Sequence, residues 1–221
     1  AAVNETAESV FSHYPDYLRD FFEGVSTSSG ISMDVLKRVN AVEYCEPAFF
    51  CSGLAVWGDF AKGKLLYGRN YDAVSYSEIG KDLIVTVFHP SDSSLATAIV
   101  GYAGEIYAVN ALNEAGLALN NGTPSAGPGT HFEIPLATTL LLELALRAED
   151  LEEVDDFFHT CKSSSAFIIG VADKNEARGY EWCYDGVERA DTEPSDLKKP
   201  DGLMAIANHY VNRKWTYPVP S

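Results

Sequence analysis

Cys51-Ser-Gly-Leu-Ala-Val-Trp-Gly58, followed by Gly68-Arg-Asn-Tyr-Asp72, is the stretch on which the fold turns. Phe49 to Trp57 reads as a strand, Gly58 to Gly63 as a turn and Lys64 to Arg69 as a second strand, which together make a hairpin. A cysteine opens the first strand, and the small residues after it leave its sulfur accessible. The second strand ends in an arginine and an aspartate three positions apart. In a hairpin the end of one strand lies beside the start of the other, so thiol, guanidinium and carboxylate converge. A guanidinium favours thiolate over thiol and orients a carbonyl or carboxylate, and an aspartate can hold an ammonium group. Spacing alone leaves a second reading open: an ordinary buried cysteine beside a surface ion pair.

Upstream, residues 5 to 25 carry Val10, Tyr14, Leu18, Phe21 and Phe22 near one helical face, and Pro15 is expected to kink or split that helix. Ser26 to Gly30 reads as a loop. Ser32 is placed to cap a helix striped by Val35, Val39 and Val42, running to about Tyr44 and stopped by Pro47. Downstream, the apolar runs Leu83–Phe88, Leu95–Val100, Ile106–Ala111 and Leu117–Asn120 continue a sheet, with breakers such as His89-Pro90-Ser91 and Glu114-Ala115-Gly116 between them. Pro135 to Arg147 is an apolar helix. Asp150 can cap the next one, with Glu153 as the returning carboxylate. Strands at Ala166–Ala172, Ala177–Cys183 and Leu203–Asn208 follow, with a turn at Asp185-Gly186 and a polar loop from Glu193 to Asp201. The order of helices, strands, two helices and strands describes two packed sheets flanked by helices, not a regular strand–helix alternation.

The formal charge of -16 argues against nucleic acid, since the 16 basic residues are scattered and outnumbered two to one. Ile134 to Leu146 is too short and too interrupted to span a membrane. Of the four cysteines, Cys45, Cys51, Cys161 and Cys183, none forms a C-x-x-C pair or stands near a histidine at metal-ligand spacing, so neither a metal nor a disulfide scaffold is expected. Asn4-Glu-Thr6 and Asn121-Gly-Thr123 fit a glycosylation pattern short enough to arise by chance. Exported and cytoplasmic locations both fit.

Cys51 with Gly68-Arg69-Asn70-x-Asp72 resembles the opening of the choloylglycine hydrolase and acyl-coenzyme A:6-aminopenicillanate acyltransferase group of Ntn hydrolases. Ala111-Leu-Asn-Glu-Ala-Gly-Leu-Ala118 is similar to that group's Asn-Glu-x-Gly-Leu signature, and Asn208-His209-Tyr210 to the acyltransferase branch's Asn-His-aromatic motif. The three pieces stand in the right order across residues 51 to 210. The resemblance implies a four-layer αββα sandwich of two antiparallel sheets, with residues 1–50 a helical propeptide-like segment and 51–221 the catalytic domain.

It also implies roles. Cys51 is the nucleophile, freed by autocatalytic cleavage between Phe50 and Cys51. Asp72 binds its α-amine, Arg69 supports its thiolate, and Asn121 and Asn208 donate to the oxyanion, Asn121 being chosen over Asn120 without a deciding signal. An α-amine titrates near pH 7.7 to 8.0, so it can act as the base without a histidine. The expected reaction is hydrolysis, or acyl transfer to an amine, at a linear amide of a small N-acyl compound or peptide, with no cofactor. A retained propeptide and a homo-oligomer are both compatible with it. The group's second catalytic arginine has no match, which points to a further C-terminal segment. Two rivals remain: a conventional cysteine peptidase with internal Cys51 and His209 as base, and a non-enzymatic binding protein on the same fold.

Overall fold

The computed structural model describes residues 2–41, 44, 49–73, 80–125, 127–190, 201–212, 214, 215 and 217. Pro15 splits the first helical stretch in two. Helix α1 is Ala2–Ser12 and α2 is Asp16–Ser29, with Pro15 at the N-cap of α2, where its missing N–H costs nothing. Helix α2 runs through the expected loop and ends at Gly30, whose left-handed backbone (φ 74°) returns its N–H to the Ser26 carbonyl. Helix α3 is described over Met33–Ala41; residues 42 and 43 and the expected stop at Pro47 lie outside the described residues.

The hairpin forms as expected, displaced in its second strand. Strand β1 is Phe49–Val56 and β2 is Leu66–Ala73. A 3-10 turn over Gly58–Ala61 and left-handed Lys62 and Gly63 lengthen the connection. The ladder then carries on through Asn70 and Asp72, which sit on its solvent face and need no apolarity. Numbering onward in chain order, β3 is Leu83–Phe88, β4 Thr97–Tyr102, β5 Asn110–Asn113, β6 Ala118–Gly122, β7 Phe167–Ala172, β8 Ala177–Cys183, β9 Gly186–Arg189 and β10 Leu203–Ile206. Strands β3 to β9 form a seven-stranded sheet in chain order. Strand β10 pairs with the free side of β1, giving a second sheet ordered β10-β1-β2, and both sheets are antiparallel throughout.

Ile106 to Val109 is not part of a strand, although its apolar run reads as one. These residues are buried by packing against helices. The Asn40 side chain of α3 accepts the Ile106 N–H at 2.7 Å and donates to the Gly104 carbonyl at 2.8 Å. Strand β9 is too short and polar to be read from sequence. The expected polar loop at Glu193–Asp201 lies outside the described residues, save Asp201.

Helices α4, Ala137–Arg147, and α5, Leu151–Thr160, join α1 to α3 on one face of the seven-stranded sheet. Asp150 caps α5 by accepting the Glu152 and Glu153 N–H groups at 2.9 and 3.0 Å. The Glu153 carboxyl reaches back one residue further than expected, to the Glu149 N–H. Among the described residues no helix covers the outer face of the three-stranded sheet, so three of the four layers are present.

The two sheets meet closely because glycine stands where they cross. A Cβ on Gly53 would lie 3.2 Å from Nδ2 of Asn120 on the facing sheet, and 2.8 Å from Cγ1 of Ile206 on the adjoining strand β10. Gly53→Val therefore crowds both the adjoining strand and the facing sheet and is expected to lower the unfolding free energy by about 1–3 kcal/mol. Urea unfolding reads this directly; an unchanged midpoint would mean the contact carries no weight.

Candidate active site

Along β1 Cys51, Gly53 and Ala55 lie toward the seven-stranded sheet, while the side chains of Phe50, Ser52 and Leu54 face outward. Cys51 is thus buried between the sheets, 6% exposed. A Cβ on Gly122 of β6 would touch Cys51 Cβ at 3.4 Å, so this facing glycine leaves room for the thiol.

The β1–β10 register ends at Gly53 and Ile206; continued by two residues it sets Cys51 opposite Asn208. The backbone ladder does not extend that far, because the Asn208 carbonyl turns away to accept from Ser125 N and Oγ at 2.7 and 3.0 Å. This is why β10 stops at Ile206 and not at Asn208. The Asn208 side chain replaces the missing rung. Its Oδ1 accepts the Cys51 N–H at 2.6 Å, and its Nδ2 donates to the Thr123 carbonyl at 2.6 Å.

Arg69 comes from β2, in register with Gly53, whose absent side chain leaves the space free. Its Nη2 lies 3.3 Å from Cys51 Sγ and 3.1 Å from Asn121 Oδ1, and its Nη1 donates to Asn110 Oδ1 at 2.9 Å. The guanidinium also stacks over the Tyr71 ring at 4.5 Å. The cation is held by two amide oxygens and one ring with one edge on the sulfur, an arrangement that lowers the cost of forming thiolate.

The structure thus brings Cys51, Arg69, Asn121 and Asn208 together. Asp72 is placed differently. It pairs in register with Phe50, shares the outer face with that side chain, and both of its carboxyl oxygens accept from Asn70 Nδ2 at 2.9 Å. In the continuous chain the Cys51 nitrogen binds Asn208. Asn120, the neighbour passed over for Asn121, is buried, and its Oδ1 has no hydrogen-bond partner among the described residues. His209 is exposed beside Asn208.

Asn110 and Tyr71, which complete the Arg69 cradle, were not singled out by sequence. The only trace of Asn110 is a polar residue ending the apolar run from Ile106. Beside Arg69 a cavity of about 560 Å³ opens between the sheets. Val85, Ala98, Val100 and Leu112 give it apolar walls, and Arg69 and Asn120 are polar groups in its lining. A groove of similar size, about 570 Å³, lies elsewhere, between Tyr17 and Phe21 of α2 and Leu146 and Arg147 at the end of α4. Among the described residues no three His, Cys, Asp or Glu side chains group to hold a metal, and no helix is long and apolar enough to cross a membrane.

No family model matches the sequence, and no curated protein matches it. Solved structures do match. The chain superposes on a Caenorhabditis elegans N-acylethanolamine-hydrolyzing acid amidase ortholog with a TM-score of 0.56 at 16% identity, over 74% of this chain and 72% of that one. This is an Ntn-hydrolase fold. Two structures of the conjugated bile acid hydrolase of Clostridium perfringens align less closely, with TM-scores of 0.48 and 0.49 at 14% and 15% identity, over 52% of that chain. In the Ntn fold as this chain builds it, the cysteine lies on the central strand of the smaller sheet, with β2 and β10 on either side.

Proposed function

We propose that this chain is a cysteine amide hydrolase of the Ntn type, acting on a linear amide of a small N-acyl compound through a thioester on Cys51. The observation that carries this reading is the double hold on one residue: Arg69 on the sulfur at 3.3 Å and Asn208 on the nitrogen at 2.6 Å. An inert buried cysteine needs no guanidinium on its sulfur.

Once Phe50 is cleaved away, the Cys51 nitrogen becomes an α-amine with a basicity near neutral pH. It takes the thiol proton, and the sulfur adds to the substrate carbonyl. The carbon–nitrogen bond then breaks, the leaving amine takes the proton from the α-ammonium, and a thioester remains. Water, deprotonated by the same amine, releases the acid and regenerates the thiol; an amine in place of water gives acyl transfer. Loss of Phe50 also vacates the position facing Asp72, which brings its carboxylate into use for the new ammonium. The apolar cavity beside Arg69 suits the acyl group. The N-acylethanolamine named for the structural neighbour belongs to the same class of small N-acyl amide.

Asn208 and Asn121 are the proposed oxyanion donors, Asn208 with a second duty on the Cys51 nitrogen. Asn208→Ala is expected to lower turnover by about 10²- to 10³-fold with a much smaller change in KM, measured per titrated thiol on a panel of N-acyl amides. An unchanged kcat would exclude Asn208 from the reaction. Activity that instead fell on His209→Ala in an uncut chain would favour the conventional peptidase.

A further inference from the structure

Glu181 is a charged residue type at a place where an apolar one would pack easily. It lies on β8, in register with Ile168 on β7 and Glu188 on β9, and is 0% exposed. Its side chain faces the three-stranded sheet, on the same side of β8 as Gly179, whose added Cβ would meet Ile206 and Met204. Burying a carboxyl group is costly unless its oxygens are satisfied. Here they accept backbone N–H groups from one short segment: Val211 on Oε1, and Asn212 on both oxygens at 3.2 Å.

That segment begins three residues after Asn208. Upstream, Asn208 is fixed by Thr123 and Ser125. Downstream, Asn212 Oδ1 accepts the Lys214 N–H at 3.0 Å, and the Lys214 ammonium pairs with Glu188, the cross-strand neighbour of Glu181. Asn208 has left the backbone ladder and reaches Cys51 only through its side chain, so a small shift of its backbone breaks the 2.6 Å contact. We propose that Glu181 is a positioning residue: its buried carboxyl, assisted by Glu188, clamps Val211, Asn212 and Lys214 and thereby holds the Asn208 amide on the Cys51 nitrogen. A consequence for turnover rests on the reading of Asn208 given above; the clamp itself does not.

The test uses the full chain carrying Cys51→Ala, which keeps the backbone N–H at position 51. Hydrogen exchange at that amide is followed by NMR, with the Ile169 amide of β7 as the control for global folding. Adding Glu181→Gln keeps the size of the side chain and one acceptor oxygen, but sets an NH₂ group against the Asn212 N–H in place of the second oxygen. Exchange at position 51 is expected to accelerate at least about tenfold, the scale of one lost hydrogen bond, with Ile169 unchanged. Equal exchange at position 51 overturns the proposal, as does equal acceleration at both sites, which marks a general loosening. Should Glu181→Gln not fold, Glu188→Gln releases the exposed end of the clamp and is read by the same criterion.

In otherwise wild-type protein, Glu181→Gln combined with Asn208→Ala is expected to cost no more in kcat than Asn208→Ala alone. Additive losses would show that Glu181 does not act through Asn208. Accelerated exchange in a protein without amidase activity would leave the clamp standing and remove the proposed function instead.

Discussion

Wild-type protein is expected to yield a chain beginning at Cys51, and Cys51→Ala to remain one uncut chain without amidase activity. While Phe50 acylates it, the Cys51 nitrogen is an amide and cannot serve as a base. The thiol can instead add to the Phe50 carbonyl. The carbon–nitrogen bond breaks, the nitrogen takes the proton, and the resulting thioester is hydrolysed to a Phe50 carboxyl group and a free Cys51. Arg69, 3.3 Å from the sulfur, is placed to stabilise a thiolate in this step as in the proposed turnover. The Phe50 side chain is half exposed, so its departure uncovers little core. Cys51→Ser is expected to cut slowly, through a weaker nucleophile. Removing the nucleophile costs on the order of 10⁶-fold in turnover in enzymes that depend on one. Intact mass and N-terminal sequencing of wild type and Cys51→Ala decide the matter. A fully active, uncut wild type would defeat the mechanism; an uncut and inert one would favour a binding protein or an unprocessed precursor.

The second large effect concerns the fate of residues 1–50 after the cut. Ala7, Val10, Tyr14, Leu18, Phe22, Leu36 and Ala41 are buried in one core with Ile99, Leu119 and Leu141. At about 1.5–3 kcal/mol for each fully buried large aliphatic or aromatic side chain, Val10, Leu18, Phe22 and Leu36 contribute on the order of 6–12 kcal/mol before entropic costs. That is the scale of a whole domain's stability, about 5–15 kcal/mol. Polar ties add to it: Asn40 to the Gly104–Ile106 segment, and the Tyr44 hydroxyl to Thr138 Oγ1 at 2.8 Å. The cut protein is therefore expected to run as one particle of two chains under native conditions and to separate only in denaturant. Expression of residues 51–221 alone is expected to give no cooperative unfolding transition. Recovery of a folded 51–221 chain free of the N-terminal piece would refute the shared core.

How far the sequence could be read follows the range of the interactions. The Cys51–Arg69 contact was legible because both residues belong to one hairpin, where alternation and a short turn fix proximity. The same alternation sets Asp72, three positions after Arg69, on the opposite face, whereas the family resemblance placed it at the amine of Cys51 without regard to that face. The same period separates Asn120 from Asn121, adjacent in sequence but differently engaged, and no local signal distinguishes them. Ile106–Val109 misled because a buried apolar run reads alike whether it pairs in a sheet or packs against helices. Asn110 and Glu181 act across strands and between sheets, so nothing in their immediate sequence announces them. The cavity is likewise made by the stacking of two sheets.

The core that α1 to α3 share with the large sheet sets a limit on reversibility. An uncut chain closes that core intramolecularly, at the effective concentration of its own linker. A cut one has lost the covalent tie, so its reassembly is second order and slows with dilution. Each molecule would then have one concentration-independent opportunity to fold, before the bond at Phe50 is broken. After such a cut its lifetime would be governed by how slowly it opens, a kinetic quantity, and unfolded cut protein in dilute solution would have no efficient way back.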